Sequence, residues 1–110
     1  MPILPIINQS GPIPISANFL PPTDAPATIY VAGSVWSQQT NVMIGITITL
    51  DGVIIGTAQI FSNGNATHRA VVPVLIPVQL TFGNHTLSLS GMTSETVSDS
   101  NDFFTAVLMY

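Results

Sequence analysis

The stretch Ile44-Gly45-Ile46-Thr47-Ile48-Thr49-Leu50-Asp51-Gly52-Val53-Ile54-Ile55-Gly56-Thr57-Ala58 decides the fold class. Ile44, Ile46, Ile48 and Leu50 alternate with Gly45, Thr47 and Thr49, the period of two that gives a strand one buried face. Asp51-Gly52 then separates this run from a second one. An Asp-Gly pair between two such runs is the strongest local signal for a tight hairpin, because both central positions of that turn take positive φ. Asn63-Gly64 and Gly83-Asn84 mark further turns. Working outward, the pattern predicts strands over 13–20, 27–37, 42–50, 53–61, 67–78, 85–91 and 102–110, with no stretch of helical period. About seven short strands at this spacing predict an all-β antiparallel sandwich.

The first 26 residues differ in character. They hold seven of the nine prolines, and proline fixes φ and removes a backbone donor, which excludes a helix or a central strand. The expected organisation is therefore a Pro-rich extended N-terminal arm over 1–26, with an edge strand near its end, and a sandwich domain over 27–110. The arm carries Ile3, Leu4, Ile6, Ile7, Ile13, Ile15, Phe19 and Leu20, too much apolar surface for a solvated linker. It is expected to pack on its own domain or on a neighbouring subunit.

Charge is scarce: 5% of residues, with Arg69 the only Lys or Arg among 110 residues and a net charge of −4. Ordinary soluble domains carry roughly 25%. Without several cations the chain is not suited to phosphate backbones or anionic lipid. Its apolar runs are short and broken by Pro, Gly and Thr, so no continuous span of about 20 apolar residues exists for membrane insertion. No basic, helix-forming leader is visible at Met1-Pro2-Ile3-Leu4-Pro5. Cysteine is absent, which removes disulfides and thiolate chemistry. Two predicted strands, Val71–Val78 and Phe103–Tyr110, are apolar on both faces, whereas a sandwich strand shows one face to water. Pro73 and Pro77 set the first of these at an edge or bulge. The outer faces are expected to be covered by self-association, with a trimer favoured.

Leu50-Asp51-Gly52-Val53-Ile54-Ile55-Gly56-Thr57-Ala58 and Gly83-Asn84-His85-Thr86-Leu87-Ser88-Leu89 resemble the hairpin and penultimate strand of bacterial and phage immunoglobulin-like modules, over about residues 42–110. The Cys-Trp-Cys signature of antibody domains is lacking, since Trp36 has no cysteines to pack on. In style, the charge-poor Ile/Val/Thr composition and the N-terminal arm resemble trimeric C1q/TNF-like jelly rolls. Both resemblances imply non-enzymatic roles in display, adhesion, glycan binding or assembly, at an extracellular, cell-surface or virion location.

If successive strands alternate in direction, loops 37–42, 62–66 and 92–101 fall at one end. Loops at the end of a rigid sandwich are where function usually sits. Trp36, Gln38, Gln39, Asn41, Asn63, Asn65, His68, Arg69, Asp99, Asn101 and Asp102 are the candidate ligand-binding residues there. Amides and carboxylates suit sugar hydroxyls, and an aromatic face suits the C–H side of a sugar. Glu95, Asp99, Asn101 and Asp102 form a hard-oxygen group of the kind that holds Ca²⁺. Local use competes with this, with Asp99 or Asp102 capping the turn and one of them pairing with Arg69. His68 and His85 are expected at opposite ends, which disfavours a shared metal or acid–base pair. No catalytic residues and no required cofactor are assigned. The expected function is a non-catalytic structural or adhesion module of a phage, spore-coat or cell-surface assembly, with a carbohydrate-binding lectin as the alternative.

Overall fold

The computed structural model describes residues 2–22 and 24–110. Nine strands follow in chain order: β1 (Ile3–Ser10), β2 (Ile15–Phe19), β3 (Pro26–Val35), β4 (Val42–Leu50), β5 (Val53–Ser62), β6 (Arg69–Ala70), β7 (Val74–Gln79), β8 (His85–Gly91) and β9 (Phe103–Met109). No helix occurs among the described residues, and so none is long and apolar enough to cross a membrane. One sheet has the order β1-β9-β3-β6, with β7 also on β3; the other has the order β2-β8-β4-β5. All pairs are antiparallel.

The pairs nest around the hairpin at Asp51-Gly52. β4 pairs β5, β3 pairs β7, β2 pairs β8 and β1 pairs β9. A ribbon paired in this way and rolled across two sheets is a jelly roll. That order decides between the two sandwich topologies that the sequence leaves open. At the centre of the nest, Asp51 and Gly52 take φ of 51° and 83°, the left-handed values a two-residue hairpin demands.

The prolines act as their chemistry dictates. Pro73 interrupts the expected strand 67–78, which becomes β6 and β7, and Pro77 lies in β7 at the sheet edge, where its missing N–H is tolerated. The Pro-rich segment is more ordered than its composition suggests. β1 and β2 are the edge strands of the two sheets, and Pro5 sits beside a register shift in β1. An edge strand bonds on one side only, so proline costs it little.

Side chains pointing between the sheets form one core around Ile29, Ile46, Ile48, Leu89, Phe104 and Leu108, all fully buried. Burial of each such side chain is worth about 1.5–3 kcal/mol. The outer faces contrast. On the four-stranded sheet Ser16 and Ser88 share a 2.7 Å hydroxyl contact and Thr86 donates to Asn18. On the other sheet Leu75, Tyr30, Val107 and Pro5 line up in one row across four strands, and Leu75 and Phe103 are 63% and 51% exposed.

Candidate functional site

Four segments converge at one end of the sandwich, as strand alternation requires. Ala66 N donates to Ser37 O at 2.6 Å, and Trp36 and Val97 exchange backbone bonds at 2.9 and 2.8 Å. Gly11 N donates to Asp102 O at 2.8 Å, and Ile13 N to Ser98 Oγ at 2.9 Å. The loop between β8 and β9 is thereby tied to the β1–β2 crossing and to the β3 terminus, while Ala66 links the β5–β6 loop to Ser37.

Asp102 is the anchor of this end. Its carboxylate is fully buried just before β9. Oδ1 accepts from Ser34 Oγ at 2.7 Å and from His68 Nδ1 at 2.7 Å, and Oδ2 accepts from Asp99 N at 2.9 Å. A buried carboxylate needs such donors. Because a carboxylate can only accept, Nδ1 of His68 carries a proton and Nε2 points away from Asp102. The hydrogen bond to Asp102 holds the His68 pKa above its ordinary value, reinforced by the charges of Asp102 and Asp99. The His68 ring packs against Trp36, centroids 5.7 Å apart and planes inclined by 41°. Asp99 turns Oδ1 back to accept from Asn101 N at 2.8 Å, leaving Oδ2 3.8 Å from His68 Nε2.

The expected pairing of Arg69 with Asp99 or Asp102 does not form. Among the described residues both carboxylates meet His68 instead, and Arg69 Nε is buried with no hydrogen-bond partner. Strand register is the reason. Arg69 is opposite Val35, which is fully buried, and directly paired residues share a face. Arg69 therefore starts inward, whereas its neighbour His68 lies on the opposite face with Asp102. Trp36 Nε1 is likewise buried and unpaired.

The other candidates lie on the loops of the same end. Gln38 and Gln39, with Ser37, Ser94, Glu95 and Val97, line a cleft of about 160 Å³. Asn41, Asn63 and Asn65 are exposed on the neighbouring loops. Of the four oxygen ligands suggested for calcium, Asp99 accepts from the Asn101 backbone N–H, Asp102 is fully buried, and Glu95 lines the cleft. Ser34 and Ser37, which the sequence reasoning passed over, prove to be structural partners. Ser34 lies two residues before Trp36 and so on the same side of β3, the one signal that could have found it. Its hydroxyl donates to Asp102 rather than to the imidazole, so Ser34, His68 and Asp102 are not arranged as nucleophile, base and orienter.

His85 lies at the opposite end, as expected. Its Nδ1 donates to Asp51 Oδ2 at 2.5 Å and its Nε2 to the Thr81 carbonyl at 2.8 Å.

No protein-family model and no curated protein sequence matches the chain. Solved structures match its fold. The EclA C-terminal domain, described as a sugar-binding protein, superposes with a TM-score of 0.52 at 15% identity, over 96% of this chain and 76% of that one. The CBM36-1 domain of a multidomain xylanase from the hindgut metagenome of Trinervitermes trinervoides gives 0.47 at 12% identity, over 99% and 96%. The carbohydrate-binding module CBM36 in complex with calcium and xylotriose gives 0.44 at 11% identity, over 98% of each chain. At 15% identity the likeness to the EclA domain is one of fold.

Proposed function

We propose that the chain is a non-catalytic sugar-binding domain that takes its ligand at the loop end around Trp36, His68 and Asp99. The observation that carries this reading is one small group: a half-buried indole, an imidazole oriented from behind by a buried carboxylate, and a free carboxylate oxygen beside it. Such a group offers directed polar contacts for hydroxyls and an apolar surface next to them. Gln38, Gln39, Asn41, Asn63 and Asn65 offer further amides on the loops of the same end. The likeness in fold to a domain described as a sugar-binding protein is in keeping with the reading.

A glycan array run in EDTA tests it. Specific signal from the wild type that is lost in His68→Gln and Gln39→Ala, with unchanged circular dichroism, is the expected result. No signal from correctly folded wild type overturns the reading.

A second reading concerns assembly and is compatible with the first. The uncharged row Leu75–Tyr30–Val107–Pro5 and the exposed Phe103 favour self-association through the outer face of the five-stranded sheet, as a homo-oligomer with a trimer favoured. A structural or adhesion role at a cell surface or virion fits a domain assembled this way.

A further inference from the structure

We propose that His68 and Asp99 form a binding site for a divalent first-row transition-metal cation, with zinc as its representative, and that Asp102 is the positioning residue behind the imidazole. Among the described residues, His68, Asp99 and Asp102 are the one group of three metal-ligating side chains, with candidate atoms all within 4.8 Å of one another.

The three residues have different parts. Asp102 is fully buried and its oxygens are engaged by Ser34, His68 and Asp99 N. What it does is hold Nδ1–H, which turns the Nε2 lone pair outward and fixes the ring plane. Metal-binding imidazoles are held in this way, with the second ring N–H donated to a carboxylate. Contact with Trp36 restrains the same ring from its side. Nε2 then faces Asp99 Oδ2 at 3.8 Å, and Asp99 has spent only Oδ1 on its own loop. Zinc bonds to N and O are about 2.0–2.2 Å long, so one ion bridges these two atoms with a closure of a few tenths of an ångström between the two exposed side chains. Both side chains are partly open, 38% and 40% exposed, so an ion can enter and its remaining positions go to water or an added ligand.

The donor set selects the metal. One imidazole nitrogen with one carboxylate suits zinc, copper or nickel, whereas calcium gathers six to eight oxygens. No competing imidazole exists: both ring nitrogens of His85 are engaged at the far end, and the chain has no cysteine. One ion per chain is therefore expected. The inference does not depend on the sugar reading, since the metal is titrated without glycan and the glycan array is run in EDTA.

The test is calorimetric titration of untagged, EDTA-stripped protein with zinc chloride and, separately, calcium chloride, alongside NMR of the histidine ring nitrogens. One zinc per chain is expected, with calcium binding far more weakly. His68→Gln and Asp99→Asn should each weaken zinc by about tenfold or more, and Asp102→Asn, which touches no ion, by about 10–100-fold. Zinc should shift His68 Nε2 and leave the His85 nitrogens unmoved. If Asp102→Asn fails to fold, the two surface variants and the nitrogen shifts decide the matter. No zinc binding, zinc binding unchanged in both surface variants, or tighter binding of calcium overturns the proposal.

Discussion

His85 and Asp51 clamp the end of the sandwich opposite the loop cluster. Asp51 Oδ2 accepts from His85 Nδ1 at 2.5 Å while the other ring nitrogen donates to the Thr81 carbonyl at 2.8 Å. Neither acceptor can donate, so both bonds are made together only when the ring carries both protons. Asp51 Oδ1 also accepts from Thr86 N at 2.8 Å, and Asp51 N donates to Thr86 O at 2.9 Å. Three hydrogen bonds thus hold the β4–β5 turn to the start of β8, and the fourth ties His85 to the loop between β7 and β8.

Stability should fall as pH rises past neutrality. The Thr81 carbonyl first, and Asp51 second, hold the His85 pKa above its ordinary 6.5. A raised histidine contributes its full stabilisation below 6.5 and loses it as pH climbs through the folded-state value. Asp51 behaves oppositely: its bonds from His85 and Thr86 N lower its pKa from 3.8, so its contribution is present above 3.8 and lost on acidification. Thermal melts should show a higher midpoint at pH 5.5 than at pH 8.5, and His85→Gln should flatten that slope. A midpoint that rises across this interval would contradict the clamp.

Asp102→Ala should destabilise the fold rather than merely remove a ligand contact. It strands the Ser34 hydroxyl, His68 Nδ1–H and Asp99 N–H. Loss of a buried acceptor shared by several donors costs about 3 kcal/mol. Urea unfolding should register this, with little change for His68→Gln, and equal midpoints for Asp102→Ala and wild type would refute the anchoring role.

Gly33→Ala should also destabilise. A Cβ at Gly33 would sit 2.5 Å from the Phe104 ring and 3.0 Å from Ile46 Cδ1. Phe104 is fully buried, so its ring can yield only by moving its neighbours in a close-packed core. Overpacking of this kind costs about 1–3 kcal/mol, and Phe104→Ala, which empties the site, about 3–5 kcal/mol. The double variant should cost less than the sum of the two, measured by denaturant melts; strict additivity would mean that the two residues do not share the space.

Leu75→Lys and Val107→Lys should each reduce the oligomeric mass measured by light scattering, because they place charge on the apolar row of the five-stranded sheet. Thr49→Lys, on the hydroxyl-bearing face of the other sheet, should leave the mass unchanged. A wild-type chain that elutes as a monomer would remove the self-association reading altogether.

The parts legible in the sequence were those set by neighbours along the chain. Alternating Ile and Thr in β4, the Asp51-Gly52 turn and the break at Pro73 all express φ/ψ preferences and the two-residue period of a strand. The gathering of Trp36, His68, Asp99 and Asp102 at one end was legible too, because strands that alternate in direction return their loops to alternate ends. β1 was less so. Its prolines argue against a strand in isolation, and only its edge position beside β9 makes one acceptable.

By itself, then, the sequence determined an all-β sandwich, most of its strands and turns, and the end at which its polar loops collect. Tertiary structure decided which sandwich it is and which residue meets which. The pairing of β1 with β9 and of β2 with β8 joins segments distant along the chain, and periodicity carries no information about such partners. The same holds for the site. Whether Arg69 or His68 reaches Asp102 depends on the register that sets Arg69 opposite Val35. A shift of one residue would exchange the faces of these two side chains, and that register is set by packing across the core rather than by any local preference of Arg69.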